Sequence, residues 1–347
     1  MSNNPVGLDG IEFVEFSSGK PDSLHNLFKE FGFSKLARHQ SRLVDYYQQN
    51  DIHFLLNREP GSYAMKFSEV HGPCIASMGW RVKNATRAFD AAVERGATAC
   101  EEGDLKDLSG KPVPAIYGIG ESLIYFIDSY QKADRYQTWG FCPLPAPERV
   151  ESKGFETIDH LTNNVFKGTM GQWSDFYKNI FGFTEIRYFD IRGAQTGLQS
   201  FALRSPCGKF CIPINEATEK ESQINEYLRD YHGPGIQHLA LTTSNIIETV
   251  SKMKSTSVQM LDMDDEYYQN VFKRVPNVTE DHDRLKDLQI LVDGDDEGYL
   301  LQIFTRNLVG PIFIEIIQRR NHFNFGEGNF QALFKSIERD QKRRGVL

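Results

Sequence analysis

Short runs in which apolar residues dominate or alternate with polar ones recur along this chain, each followed by a helical period. Gly10-Ile11-Glu12-Phe13-Val14-Glu15-Phe16 reads as a strand, and Ser23 to Phe31 as an amphipathic helix that ends at Gly32-Phe33. Thr157-Ile158-Asp159-His160-Leu161 repeats the strand, and Trp173 to Ile180 repeats the helix before Phe181-Gly182-Phe183. A second pairing begins with Ala76-Ser77-Met78-Gly79-Trp80-Arg81-Val82, which precedes a helix over Ala85 to Arg95. Its counterpart is Ile236-Gln237-His238-Leu239-Ala240-Leu241, before a helix over Asn245 to Lys254. The unit is strand, helix, then several strands, used four times in two halves.

Between the halves lies Gly140-Phe141-Cys142-Pro143-Leu144-Pro145-Ala146-Pro147-Glu148, whose prolines exclude helix and central strand alike. It reads as the linker and divides the chain near residue 150, into 1–150 and 151–347. The last helical period runs from Asn329 to about Arg344. Asn329 is placed to cap its start, and Ala332, Leu333, Phe334 and Ile337 form its apolar stripe. Lys342, Arg343 and Arg344 suit the negative end of its dipole.

Three polar residues interrupt apolar strands at nearly even intervals of about 77–78 residues: His160, His238 and Glu315. Two histidines and one carboxylate are the ligand set of the facial triad that holds a non-haem Fe(II) with open positions. A lone histidine in a strand is more often a satisfied core or edge residue than a ligand. Glu315, inside Ile312-Phe313-Ile314-Glu315-Ile316-Ile317, is harder to explain that way. A buried carboxylate there needs a metal, an arginine or a proton, because leaving it unpaired costs several kcal/mol. Matched by pattern, the first half has Phe13 opposite His160, Ser77 or Met78 opposite His238, and Tyr125 opposite Glu315. Those are not a ligand set, so any metal is expected in the second half only.

Composition narrows the classes. The 347 residues are 40% hydrophobic and 25% charged, ordinary for a globular protein, with a formal net charge of -8. Without a basic cluster, nucleic acid is excluded as a partner. No apolar stretch reaches the ~18–20 residues needed to span a bilayer, so no membrane partner is expected. The start, Met1-Ser2-Asn3-Asn4-Pro5, lacks the charged and apolar regions of a signal peptide. The five cysteines (Cys74, Cys100, Cys142, Cys207, Cys211) show no CxxC spacing and read as reduced thiols of a cytoplasmic protein, with a Cys207–Cys211 pair or soft-metal site as the alternative.

Several longer motifs carry a family resemblance. They are Ile158-Asp159-His160, Pro213-Ile214-Asn215-Glu216, Gln237-His238-Leu239-Ala240, Gly298-Tyr299-Leu300-Leu301-Gln302-Ile303-Phe304-Thr305, Pro311 to Arg320, and Phe325-Gly326-Glu327-Gly328-Asn329-Phe330. In content and order they resemble 4-hydroxyphenylpyruvate dioxygenases across the whole second half, whereas the first half matches mainly in architecture. The resemblance implies an α+β vicinal-oxygen-chelate fold, in which tandem βαβββ modules make two open barrels with flanking helices. It also implies Fe(II) in the C-terminal barrel alone and a homo-oligomer, dimer or tetramer. The implied substrates are small molecules, 4-hydroxyphenylpyruvate and O2. Oxidative decarboxylation, ring hydroxylation and side-chain migration would give homogentisate and CO2, in tyrosine and phenylalanine catabolism.

The same resemblance implies roles for individual residues. Phe313, Phe325 and Phe330 would be aromatic walls around the substrate ring, with Phe304 and Asn329 also near the substrate. Ser205, Asn215, Gln223, Gln237 and Gln302 would be the polar contacts to the phenol and the 2-oxo acid. Strict strand alternation points Gln237 away from His238, so either the strand is irregular there or Gln237 acts from a second layer. The last helix would close over the iron barrel. Two rivals share the ligand set: a 4-hydroxymandelate synthase, in which the counterparts of Pro213 and Phe330 are a small polar and a smaller aliphatic residue, and an extradiol catechol dioxygenase, which would not need the segment from Phe325 to Phe330. A binding module that had lost catalysis would be expected to have lost a ligand.

Overall fold

β-branched and aromatic runs separated by glycine turns build two sheets of like topology. The computed structural model describes residues 3–193, 196–263 and 265–345. The first sheet contains β1 (Leu8–Ser17), β2 (Ser34–His39), β3 (Val44–Gln49), β4 (Ile52–Asn57) and β5 (Cys74–Val82). It continues with β6 (Ala99–Cys100), β7 (Ala115–Tyr117), β8 (Leu123–Ile127) and β9 (Phe141–Glu148). The second contains β10 (Phe155–Asn164), β11 (Thr184–Arg192), β12 (Gly197–Arg204) and β13 (Cys211–Ala217), then β14 (Gly235–Thr243), β15 (Leu291–Gly294), β16 (Tyr299–Phe304) and β17 (Phe313–Arg320). Their orders, β6-β7-β8-β5-β1-β4-β3-β2-β9 and β11-β12-β13-β10-β14-β17-β16-β15, share the core β8-β5-β1-β4-β3-β2, equivalent to β17-β14-β10-β13-β12-β11. Each sheet curls into a half-barrel, giving the α+β vicinal-oxygen-chelate architecture.

Helices cover the sheets: α1 (Pro21–Glu30), α2 (Tyr63–His71), α3 (Ala85–Glu94), α4 (Met170–Phe181), α5 (Gln223–Asp230), α6 (Ile246–Met253), α7 (Val271–Arg274), α8 (His282–Asp287) and α9 (Glu327–Arg343). One core runs through both halves. Trp80, fully buried, packs against Tyr177, Phe181, Phe183 and Phe210 of the other half. At Gly120, which has φ +63°, a side chain would run into the Pro234 carbonyl at 2.1 Å, so glycine lets the halves meet there.

The register confirms how the halves superpose. Phe13 pairs with Gly79, and Gly79 with Tyr125, as His160 pairs with Ala240 and Ala240 with Glu315. Ser77 therefore stands opposite His238. In the first half the Phe13 ring lies across Gly79, where an added Cβ would sit 2.4 Å from it, and packs against Tyr125 at 6.1 Å. Aromatic rings, Phe13 and Tyr125, occupy two of the three positions that carry ligands in the second half, and Ser77 occupies the third.

The proline-rich segment differs from a bare linker. It forms β9, paired with β2 through Phe141, Cys142, Pro143 and Glu148. Prolines are tolerated because β9 is an edge strand, with one side free of ladder bonds. The chain then crosses between the sheets, and the Gln49 side-chain oxygen accepts from the Ser152 hydroxyl and the backbone N–H groups of Lys153 and Gly154. The final helix also starts earlier than its pattern predicts. Gly326, with φ +65°, precedes its first turn, and Asn329 lies inside the helix rather than capping it. All five cysteines are free, which removes the Cys207–Cys211 pairing.

Candidate metal centre and substrate pocket

Three adjacent central strands, β10, β14 and β17, bring His160, His238 and Glu315 together. All three are buried, 1%, 5% and 2% exposed, so each polar atom must find a partner inside the barrel. His160 Nε2 lies 3.1 Å from His238 Nε2 and 3.2 Å from Glu315 Oε2, and His238 Nε2 lies 3.3 Å from the same oxygen. Among the described residues these form a group of donors close enough to share one ion.

Hydrogen bonds on the far side of each imidazole set its tautomer. His160 Nδ1 is 2.7 Å from Asp159 Oδ2, and His238 Nδ1 is 3.0 Å from Gln237 Oε1. Both acceptors are oxygens, so each neutral ring carries its proton on Nδ1 and directs a bare Nε2 lone pair inward. Two lone pairs and a carboxylate facing one another at these distances repel unless a cation lies among them. The donor set therefore fits a divalent metal. With no metal the proton takes that place: burial opposes charge on His160, but Glu315 and then Asp159 outweigh it and raise its pKa to about 9. Burial likewise pushes Glu315 up, and His160 and His238 outweigh it, bringing it to about 2. His238 is shifted down by burial, with His160 adding to the shift against Glu315.

The ligands sit at the floor of a pocket in the second sheet. Thr162, Ser200, Ala202, Pro213 and Asn215 line one side, Gln302 and Phe304 another, and Phe189, Phe325, Phe330 and Leu333 the remainder. Strand pairing explains the small and polar side: Ser200 stands beside Asn215 and Ala202 beside Pro213. Apart from Glu315 and the two histidines, none of these residues is ionisable.

Two family models match the first half and part of the second half separately. The description "Hydroxyphenylpyruvate dioxygenase, HPPD, N-terminal" matches residues 2–141, and "Glyoxalase/Bleomycin resistance protein/Dioxygenase superfamily" matches residues 157–288. The chain is 58% identical over 345 residues to "Protein MelA" of Shewanella colwelliana, with 99% of each chain covered. It is 44% identical over 350 residues to a 4-hydroxyphenylpyruvate dioxygenase of Legionella pneumophila, covering 100% of this chain and 99% of that one. The chain belongs to the 4-hydroxyphenylpyruvate dioxygenase family. The fold also matches a triple mutant of 4-hydroxymandelate synthase from Streptomyces coelicolor, with a TM-score of 0.84 at 23% identity over 96% of this chain and 99% of that chain.

Within this family frame the expected contacts fall into groups. Asn215, Gln302, Phe304, Phe325 and Phe330 line the pocket directly. Phe313 stacks on the His238 ring at 4.7 Å and 19° and, with Gln223 and Gln237, lines a neighbouring pocket rather than this one. Gln237 occupies a bulge: Thr162 pairs with His238 and the next residue, Asn163, with Ile236. The skipped residue turns back to hold His238, so the strand is irregular and Gln237 acts one layer out. Asn329 is buried behind the wall, donating to Gln302 Oε1 at 2.8 Å, while Gln302 donates to Glu315 Oε1 at 2.7 Å. Ser205 stands apart from the pocket. Its hydroxyl accepts from the Phe210 N–H in the turn between β12 and β13 and contacts Cys207 Sγ.

Thr162, Phe189, Ser200 and Ala202 were not singled out by sequence. Thr162 could have been, being two residues from His160 on the same strand face. The other three carry no chemical signal until the strands are paired.

Proposed function

We propose that this protein is an Fe(II)-dependent dioxygenase that converts 4-hydroxyphenylpyruvate and O2 to homogentisate and CO2. One observation carries the reading: among the described residues that line the pocket there is no lysine or arginine, so a cation held by the triad is the available counter-charge for a substrate carboxylate. A dication with two neutral histidines and Glu315 leaves one net positive charge, which one carboxylate balances. When bound, Fe(II) would activate O2, and O2 would take up the two electrons released by oxidative decarboxylation of the 2-oxo acid.

The chain's own residues hold and orient the substrate. His160, His238 and Glu315 would hold the metal on one side only, leaving the pocket side for the 2-oxo acid and O2. Phe325, edge-on to His160 at 5.0 Å, and Phe330, edge-on to Phe189 at 5.7 Å, wall the space for an aromatic ring. Among the described residues Asn215 Oδ1 is buried without a hydrogen-bond partner, and a phenol O–H would satisfy it. Gln302 fixes Glu315, and α9 with Leu333 keeps bulk water out. The first half, residues 1–150, serves as scaffold, and residues 151–347 carry the chemistry. Assembly as a dimer or tetramer and a cytoplasmic setting, in keeping with the free thiols, belong to the same proposal.

Benzylic hydroxylation to 4-hydroxymandelate is the alternative outcome of the same site. Pro213 and Phe330, the residues that the family resemblance ties to ring hydroxylation, both face the pocket. Chromatography of the product formed from 4-hydroxyphenylpyruvate under air tests the assignment. Homogentisate supports it; 4-hydroxymandelate, or turnover of catechols without a 2-oxo acid, overturns it.

A further inference from the structure

Arg319 lies four residues beyond Glu315 on β17 and is mostly enclosed, its side chain 16% exposed. Its guanidinium uses both edges. On one, Nε and Nη2 donate to the two Asp159 carboxylate oxygens at 2.7 and 2.8 Å. The second of those oxygens also takes His160 Nδ1 at 2.7 Å. On the other edge, Nη1 donates to the carbonyls of His322 at 3.1 Å and Asn324 at 2.6 Å. These belong to the turn between β17 and α9. That turn carries Phe325, whose ring stands 5.6 Å from the Arg319 guanidinium and 5.0 Å from the His160 ring. The contacts close a circuit from His160 through Asp159 and Arg319 to the turn, and back through Phe325 to His160.

We infer that Arg319 is a positioning residue that couples the orientation of His160 to closure of the pocket by the turn at 321–326 and α9. The reasoning is geometric. Asp159 receives two donors from Arg319 and one from His160, so the carboxylate cannot turn without releasing one of them. The same rigid fork spans the turn, and only arginine has a planar set of donors that reaches a carboxylate on one edge and two carbonyls on the other. Movement of His160 as it engages a metal is then transmitted to the segment that walls the substrate, and an open turn leaves His160 less well aimed. A purely structural staple would hold the turn equally with or without metal, whereas the circuit predicts that metal and turn respond to each other, as reciprocal coupling requires.

This inference rests on the proposed metal site, and the test separates the two. The full-length wild-type protein, the charge-neutral pair Asp159→Asn/Arg319→Gln and the single variant Arg319→Lys are titrated with Fe(II) without O2. Amide exchange of residues 321–330 is followed by mass spectrometry, and the amides of β1 and β5 report whether each variant is folded. Wild type should bind Fe(II), with slower exchange in 321–330. The neutral pair should bind about 10–100-fold more weakly, as loss of support behind a histidine ligand does, and should lose the metal-linked slowing. Arg319→Lys, which keeps the charge but not the fork, should show faster exchange of the turn. If a folded neutral pair binds as tightly as wild type, or still slows on metal addition, the coupling is refuted while the metal site stands. If wild type takes up no Fe(II), the metal reading fails and this inference with it.

Discussion

Asn329 offers a direct test of how α9 is fastened to the site. The residue is fully buried, and its side-chain amide donates to Gln302 Oε1 while its oxygen accepts from the Tyr267 hydroxyl at 2.7 Å. Replacing it with alanine leaves Tyr267 with its other partner, the Val292 carbonyl, but strips Gln302 Oε1 of its donor. An orphaned buried acceptor costs about 1–3 kcal/mol, so opening of the first turn of α9 should rise about 5- to 140-fold. Helix propensity acts in the opposite direction, since alanine is the better helix former by at most about 0.7 kcal/mol. The two effects have opposite signs, which makes the experiment decisive. Exchange of the amides in the first turns of α9 should accelerate in Asn329→Ala, and O2 uptake should exceed homogentisate formed as water enters. Slower or unchanged exchange with uptake still matched to product would refute the fastening.

Gln237→Leu removes the acceptor behind His238 Nδ1 and should weaken Fe(II) binding about 10–100-fold, measured by anaerobic titration; unchanged affinity would show that Gln237 does not orient the ring. Phe330→Ala should raise KM for 4-hydroxyphenylpyruvate about 2- to 10-fold by removing an aromatic contact worth about 0.5–1.5 kcal/mol, read from initial rates at saturating O2. In the first half, burial and then the Asp104 carboxylate raise Glu15 to about 7, against hydrogen bonds from Ser77 and Asn57. The fold therefore holds more protons at Glu15 than the unfolded chain between the ordinary value near 4.5 and about 7, and stability from this group is lost as pH rises through that window. Glu15→Gln should pull ahead of wild type by about 2 kcal/mol between pH 5.5 and 8.5 in urea unfolding. A gap that does not change with pH would contradict it.

How far the chain could be read follows from the range of each signal. His160, His238 and Glu315 were legible because each breaks an apolar strand, and the repeated strand-helix unit placed them on equivalent strands. Gly79 and Ala240, which hold the two registers together, looked like ordinary small residues. The Asp159–Arg319 pair could not be read, because its partners lie 160 residues apart and meet only once β17 is laid in the sheet. The prolines of β9 signalled what the segment could not be, a helix or a central strand, without showing that it borders a sheet. Asn329 was misplaced by two competing signals: asparagine after glycine resembles a cap, yet burial against Gln302 draws it into the helix. Ser205 illustrates the reverse problem, since a serine three residues before a glycine turn has a local use for its hydroxyl that the pattern did not reveal.

The central claim, that the triad binds Fe(II) and directs ring hydroxylation, is tested most directly by loading the metal-free protein with Fe(II) anaerobically and then admitting O2 with 4-hydroxyphenylpyruvate. The account predicts one iron per chain, held in wild type and lost in His160→Ala, with homogentisate and CO2 released in equal amounts. Homogentisate formed equally by the His160→Ala protein, or iron bound without any homogentisate, would contradict it.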